Sequence, residues 1–226
     1  SISSVSILST SLLLGQCILV IVWTVLGLTG RFFVLEISLV LIISVGVGII
    51  PSSNTLLRFV KNSFVQLNKH LFKLPKPIFL VQGVIIILLI MMGIFNTVLP
   101  VRFGAGDGIF FYMVLPKIMA ATGKIIPVIG YEITHSISGL FGEMHHAALM
   151  ALGSEQTALL FVWVTMCNLL LQIGSLCGIL GVGNIGKVVA MAMALSSTTI
   201  TFYVIDGKVD IFAAALGVAS MYWVME

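Results

Sequence analysis

Six times along the chain an uninterrupted apolar stretch approaches the length a helix needs to cross hydrocarbon: roughly residues 7–28, 32–50, 77–99, 156–180, 187–205 and 211–224. About 20 residues at a rise of ~1.5 Å each cover the roughly 30 Å of a bilayer core. Inside lipid every backbone N–H and C=O must be satisfied within the protein, which leaves helices or a closed barrel, and barrel strands would alternate over short segments instead. An all-α membrane protein with about six transmembrane helices is expected. Composition agrees: 59% of residues are hydrophobic and 8% charged, against roughly a quarter charged in a soluble domain. The net charge of +3 is dispersed, with no basic stripe interleaved with aromatics, so nucleic acid is not an expected partner. Cys17, Cys167 and Cys177 fall in apolar stretches and read as small buried hydrophobes.

The organisation predicted is a single transmembrane domain over 1–226, with an N-terminal helical hairpin and loop over 1–76 and a core over 77–226 that includes a long loop, 100–155. A chain that begins at Ser1 and ends in an apolar run is expected to be a fragment of a longer one. Residues 51–76 carry Arg58, Lys61, Lys69, Lys73 and Lys76 and no acidic residue. The positive-inside rule therefore puts this loop in the cytoplasm and 100–155 outside, as in a multi-pass protein of a bacterial inner or plasma membrane.

The outer loop is too apolar to be a solvated coil. Residues 109–122 predict a helix, with Asp107 and Gly108 at its start, Pro116 kinking it or opening a second turn, and Gly123 as its stop. Phe110, Phe111, Met113, Val114, Ile118 and Met119 would lay it in the membrane interface. A second interfacial helix is predicted around 138–152.

The same loop contains Gly106-Asp107-Gly108, Tyr112, then Leu115-Pro116-Lys117, Gly123-Lys124-Ile125-Ile126-Pro127, and later Gly142-Glu143-Met144. A further run, Gly207-Lys208-Val209-Asp210, follows the fifth apolar stretch. In order and spacing these runs, over residues 77–226, resemble the polytopic GT-C-type glycosyltransferases, the membrane enzymes related to protein mannosyltransferases. The resemblance implies that Asp107 is the catalytic base, and that a polyprenyl-phosphate carrier donates a sugar to an acceptor on the outer face. It also implies substrate contacts for Tyr112, Lys117, Glu143, His146 and Asp210, and a divalent metal ion as a candidate cofactor at Asp210. One position departs from the pattern: Met113 stands where the family has His. The implied partners are membrane lipid, a lipid-linked sugar and further proteins of a membrane complex. The alternative reading is a non-catalytic structural transmembrane subunit of such a complex.

Each residue also has a plainer reading. Asp107 is well placed to cap the helix that follows it. Asp206 reads as part of a solvated turn, with Asp210 the better candidate for a contact. Glu143 and His146 have the i, i+3 spacing of di-metal bundles, but those need a second copy and further Glu; Glu143 is read instead as structural or substrate-facing. Gly181-Val182-Gly183-Asn184-Ile185-Gly186 spells a dinucleotide fingerprint, yet it lies between apolar spans where a βαβ unit cannot form, so a tight turn is predicted. Gln16, Gln82, Asn96, Asn168 and Gln172 suggest hydrogen bonds between helices. Glu36, close to Arg31 near the end of its span, is expected to reach the interface. Broken helices and paired intramembrane charges, the marks of a transporter, are not apparent in the sequence.

Overall fold

The protein is seen in a computed structural model that describes residues 4–47, 76–98, 112–127 and 141–226. It is all-helical there: among the described residues there is no strand. The helices are α1 (Ser4–Leu28), α2 (seen from Val34 to Val47), α3 (Lys76–Val98), α4 (Val114–Thr122), α5 (Glu143–Leu152), α6 (Glu155–Ile179), α7 (Asn184–Ser196), α8 (Thr198–Asp206) and α9 (Asp210–Met225). Two of them, α1 and α6, are long and apolar enough to cross a membrane.

These two play different parts. On α1 the residues Leu14, Ile18, Ile21, Val25 and Leu28 form one exposed stripe at helical spacing, while Leu13, Val20 and Trp23 are buried on the other side. The outward stripe would be a liability in water and is suited to hydrocarbon. Helix α6 is central and packs against α1, α3, α5, α7, α8 and α9. Its polar face turns inward: Asn168 Nδ2 donates to Ser9 O at 3.1 Å, and Gln172 Nε2 donates to Thr10 Oγ1 at 3.3 Å. Trp223 Nε1 of α9 donates to the same hydroxyl at 2.9 Å, so Thr10 ties α1, α6 and α9 together. Where hydrocarbon surrounds a bundle, such bonds hold helices that the hydrophobic effect alone does not.

Helix α3 is fixed to α6 by close approach. Trp163 Nε1 donates to Leu89 O at 2.6 Å, and a Cβ added at Gly93 would lie 2.5 Å from the Trp163 ring. Only glycine leaves room for the indole against the α3 backbone. Gly93→Ala is therefore expected to lower stability by about 1–3 kcal/mol through overpacking. The check is thermal unfolding together with the emission of a variant that keeps Trp163 as its only tryptophan.

The fifth apolar stretch, expected as one straight span, is bent. Helices α7 and α8 meet at 57°, and the pair can count as a single broken span. Ser197 leaves the helical region (φ −62°, ψ 119°), its N–H reaches Ala194 O, and the Thr201 hydroxyl donates to Leu195 O at 3.1 Å, a carbonyl near the break. Local hydroxyls thus satisfy part of what the bend exposes. The turn read from Gly181–Gly186 is also seen. Gly181 (φ +71°) ends α6, with Val182 N–H bonded to Cys177 O and Gly181 N–H to Gly178 O, the Schellman pattern.

Candidate active site at the start of α4, α5 and α9

Three chain segments converge. Helix α4 begins at Val114 with Pro116 in its first turn, where a missing N–H does no harm, and Gly123 ends it in the left-handed conformation, its N–H bonded to Met119 O. Beyond Gly123 the chain is stitched to the α1–α2 turn: Phe32 N–H donates to Gly123 O at 3.1 Å and Ile125 N–H to Gly27 O at 3.0 Å. Helix α5 begins at Glu143, inside the region predicted around 138–152. The turn Gly207–Val209 feeds α9, whose first residue is Asp210.

The fold brings together four residues singled out from sequence. Tyr112 Oη donates to Asp210 Oδ2 at 2.8 Å across 98 positions of chain. The Tyr112 carbonyl accepts from His146 Nδ1 at 3.4 Å. Glu143 lies close enough to Asp210 for the two charges to interact. Burial pushes the Glu143 carboxyl up to about 7, a bond to its own backbone works the other way, and the Asp210 charge adds to the rise. Glu143 Oε2 and His146 Nε2 are buried with no hydrogen-bond partner among the described residues.

Both histidines are neutral at ordinary pH. Burial lowers His146 to about 4, opposed by its bond to the Tyr112 carbonyl and reinforced by neighbouring His145. His145 is likewise lowered to about 4 by burial, opposed by its bond to Gln16 O at 3.1 Å. Its ring stacks on Phe161 with centroids 4.5 Å apart, and Phe212 packs edge-on against Phe161. His145 is thus a core residue that joins α1 to α5.

Lys117 is not part of this cluster. It pairs with Glu155 at the start of α6, Nζ to Oε1 2.6 Å, beside a separate hollow. Asp107 lies outside the described residues. Met113 is fully buried against Ala158, Leu159 and the Gly207 turn, so its side chain packs in the core. Among the described residues no three His, Cys, Asp or Glu side chains form a group fit to hold a metal ion.

Asp206 corrects the sequence reading. It is 1% exposed, not a solvated turn residue, and Lys208, also buried, places its Nζ 3.8 Å from Asp206 Oδ2 and 4.7 Å above the centre of the Tyr203 ring. An Asp-Gly-Lys turn has the composition of an exposed one, and nothing local signals that Met113 and Leu159 pack against its glycine.

Comparison with family models, with curated proteins and with solved structures gives no match.

Proposed function

We propose that this protein is a GT-C-like glycosyltransferase, a six-span membrane enzyme whose loop 51–76 is cytoplasmic and whose loop 100–155 is external. It moves a sugar from a polyprenyl-phosphate carrier to an acceptor on the outer face. The observation that carries the reading is the Tyr112–Asp210 hydrogen bond with the buried Glu143 beside it. Residues from two motifs far apart in sequence meet in the folded chain, as a common site would have them do.

In the reaction, Asp107 takes the proton of the acceptor hydroxyl as its oxygen attacks the anomeric carbon. The bond from that carbon to the phosphate oxygen breaks, and polyprenyl phosphate leaves with the electron pair. Glu143 suits a site that receives phosphate. Near pH 7 a substantial part of it is uncharged, so the carboxyl can donate a hydrogen bond where a second anion would repel the donor. Tyr112 fixes the Asp210 carboxylate, which is the contact for a divalent ion if one is used. Such an ion would need further oxygen ligands from substrate or water.

The test is transfer from a radiolabelled polyprenyl-phosphate sugar in membranes holding the protein. Asp107→Asn at normal expression is expected to lower transfer by about 10²-fold or more, the usual scale for a positioned base. Absence of transfer by the unmodified protein across a panel of donors would favour the non-catalytic subunit instead.

A further inference from the structure

Lys117, which the resemblance assigns to the substrate, faces a hollow of about 650 Å³ between α4 and the α5–α6 junction. Its lining includes Lys117, Ala121, Ala151, Ser154, Glu155 and Gln156, and none of Tyr112, Glu143, His146 or Asp210. From this lining we infer that the hollow is a second binding site, for a neutral sugar of one or two rings, and that it seats the acceptor. The inference rests on the transferase reading for the word acceptor, but not for the binding itself.

The chemistry of the lining selects the ligand. Lys117 and Glu155 neutralise one another at 2.6 Å, so the hollow offers no net charge to an anion. Glu155 is also the first residue of the 25-residue α6, where the helix dipole favours a carboxylate, so an incoming phosphate would displace it against two attractions. The paired ammonium and carboxylate, the Gln156 amide and the Ser154 hydroxyl, itself 3.4 Å from Thr157 Oγ1, leave hydrogen-bonding capacity of both kinds without net charge. A ring of hydroxyls, each both donor and acceptor, matches that set. Ala120, Ala121 and Ala151 supply a floor of methyl groups on which the C–H face of a sugar can lie. The hollow is open, so one face of a bound ring stays uncovered. In sequence the hollow's Lys117 follows Tyr112 by five residues, and Lys117 N–H is bonded to Met113 O at 3.1 Å.

The test is saturation-transfer NMR on the full chain in lipid nanodiscs, free of sugar detergents, with cellobiose and glucose 1-phosphate as probes. Cellobiose is expected to bind, and Ala121→Trp, which projects an indole into the hollow from an exposed position, and Glu155→Ala are each expected to weaken it about tenfold or more. Competition by diglucosyl diacylglycerol placed in the nanodisc would assign the site to a lipid-borne sugar, and its failure to compete to a soluble one. The inference is overturned if cellobiose does not bind, if Ala121→Trp leaves its binding unchanged, or if glucose 1-phosphate binds more tightly than cellobiose. Cellobiose binding without transfer from any donor would sink the transferase reading alone. Transfer without binding in the hollow would sink only this inference.

Discussion

Replacing Glu143 by Gln is expected to make unfolding between pH 4.5 and 6.5 about twice as sensitive to acid as in the unmodified protein. Three buried groups titrate differently in the folded and unfolded chain. His145 and His146 hold no proton in the fold until about pH 4, whereas an unfolded His is protonated below about 6.5. Their contribution is present above pH 6.5 and is lost as pH falls. Glu143 has the opposite sign: the fold keeps it protonated up to about 7, the unfolded chain ionises it from about 4.5, and its contribution is lost as pH rises. In the window between, two groups push stability up with pH and one pushes it down. The net slope is about 1.4 kcal/mol per pH unit, and removing Glu143 leaves roughly 2.7. The variant and the parent should match near pH 4.5 and separate by about 3 kcal/mol above pH 7, with the variant the more stable. Denaturant unfolding in nanodiscs at four or five pH values reads this directly. Parallel curves would show that Glu143 is ionised in the fold and solvated.

Gly207→Ala is the second large effect expected. At φ +73° an L-residue costs about 1–2 kcal/mol, and the new methyl would lie 2.5 Å from Met113 Cε and 2.8 Å from Leu159 Cδ2. Together these should destabilise by about 2–4 kcal/mol. The same turn delivers Asp210 to Tyr112, so transfer should fall along with stability. Met113→Ala in the Gly207→Ala background removes the Met113 contact but neither the Leu159 contact nor the dihedral, so the double variant is expected to lose less than the sum of the two single losses. A double-mutant cycle measures this, and simple additivity would show that the two residues do not touch.

The helices were legible because their cause is local. A long apolar run without strand alternation satisfies its own backbone in hydrocarbon only as a helix, and α1, α3, α6 and α9 begin and end within a few residues of the predicted stretches. Gly123 and Gly181 announced helix ends through the left-handed conformation they permit. The bend at Ser197 was not legible, since Ser196, Ser197, Thr198 and Thr199 neither forbid a helix nor demand a break as proline would. At the candidate site, Tyr112, Glu143, His146 and Asp210 were each marked by residue type and motif. Their proximity is a tertiary fact, and so is the pairing of Lys117 with Glu155, which drew Lys117 away from the other four. Asp206 and Lys208 were missed because burial of a charged turn depends on what covers it.

One consequence follows from the position of α6. Glu155 faces the Lys117 hollow, and Leu159, one turn further on, packs beneath Met113 next to Tyr112. A stiff helix carries both, so the Glu155 wall of the hollow and the Leu159 seat of Met113 cannot slide past one another. They behave as two marks on one ruler, set apart by about the 5.4 Å pitch of a single helical turn.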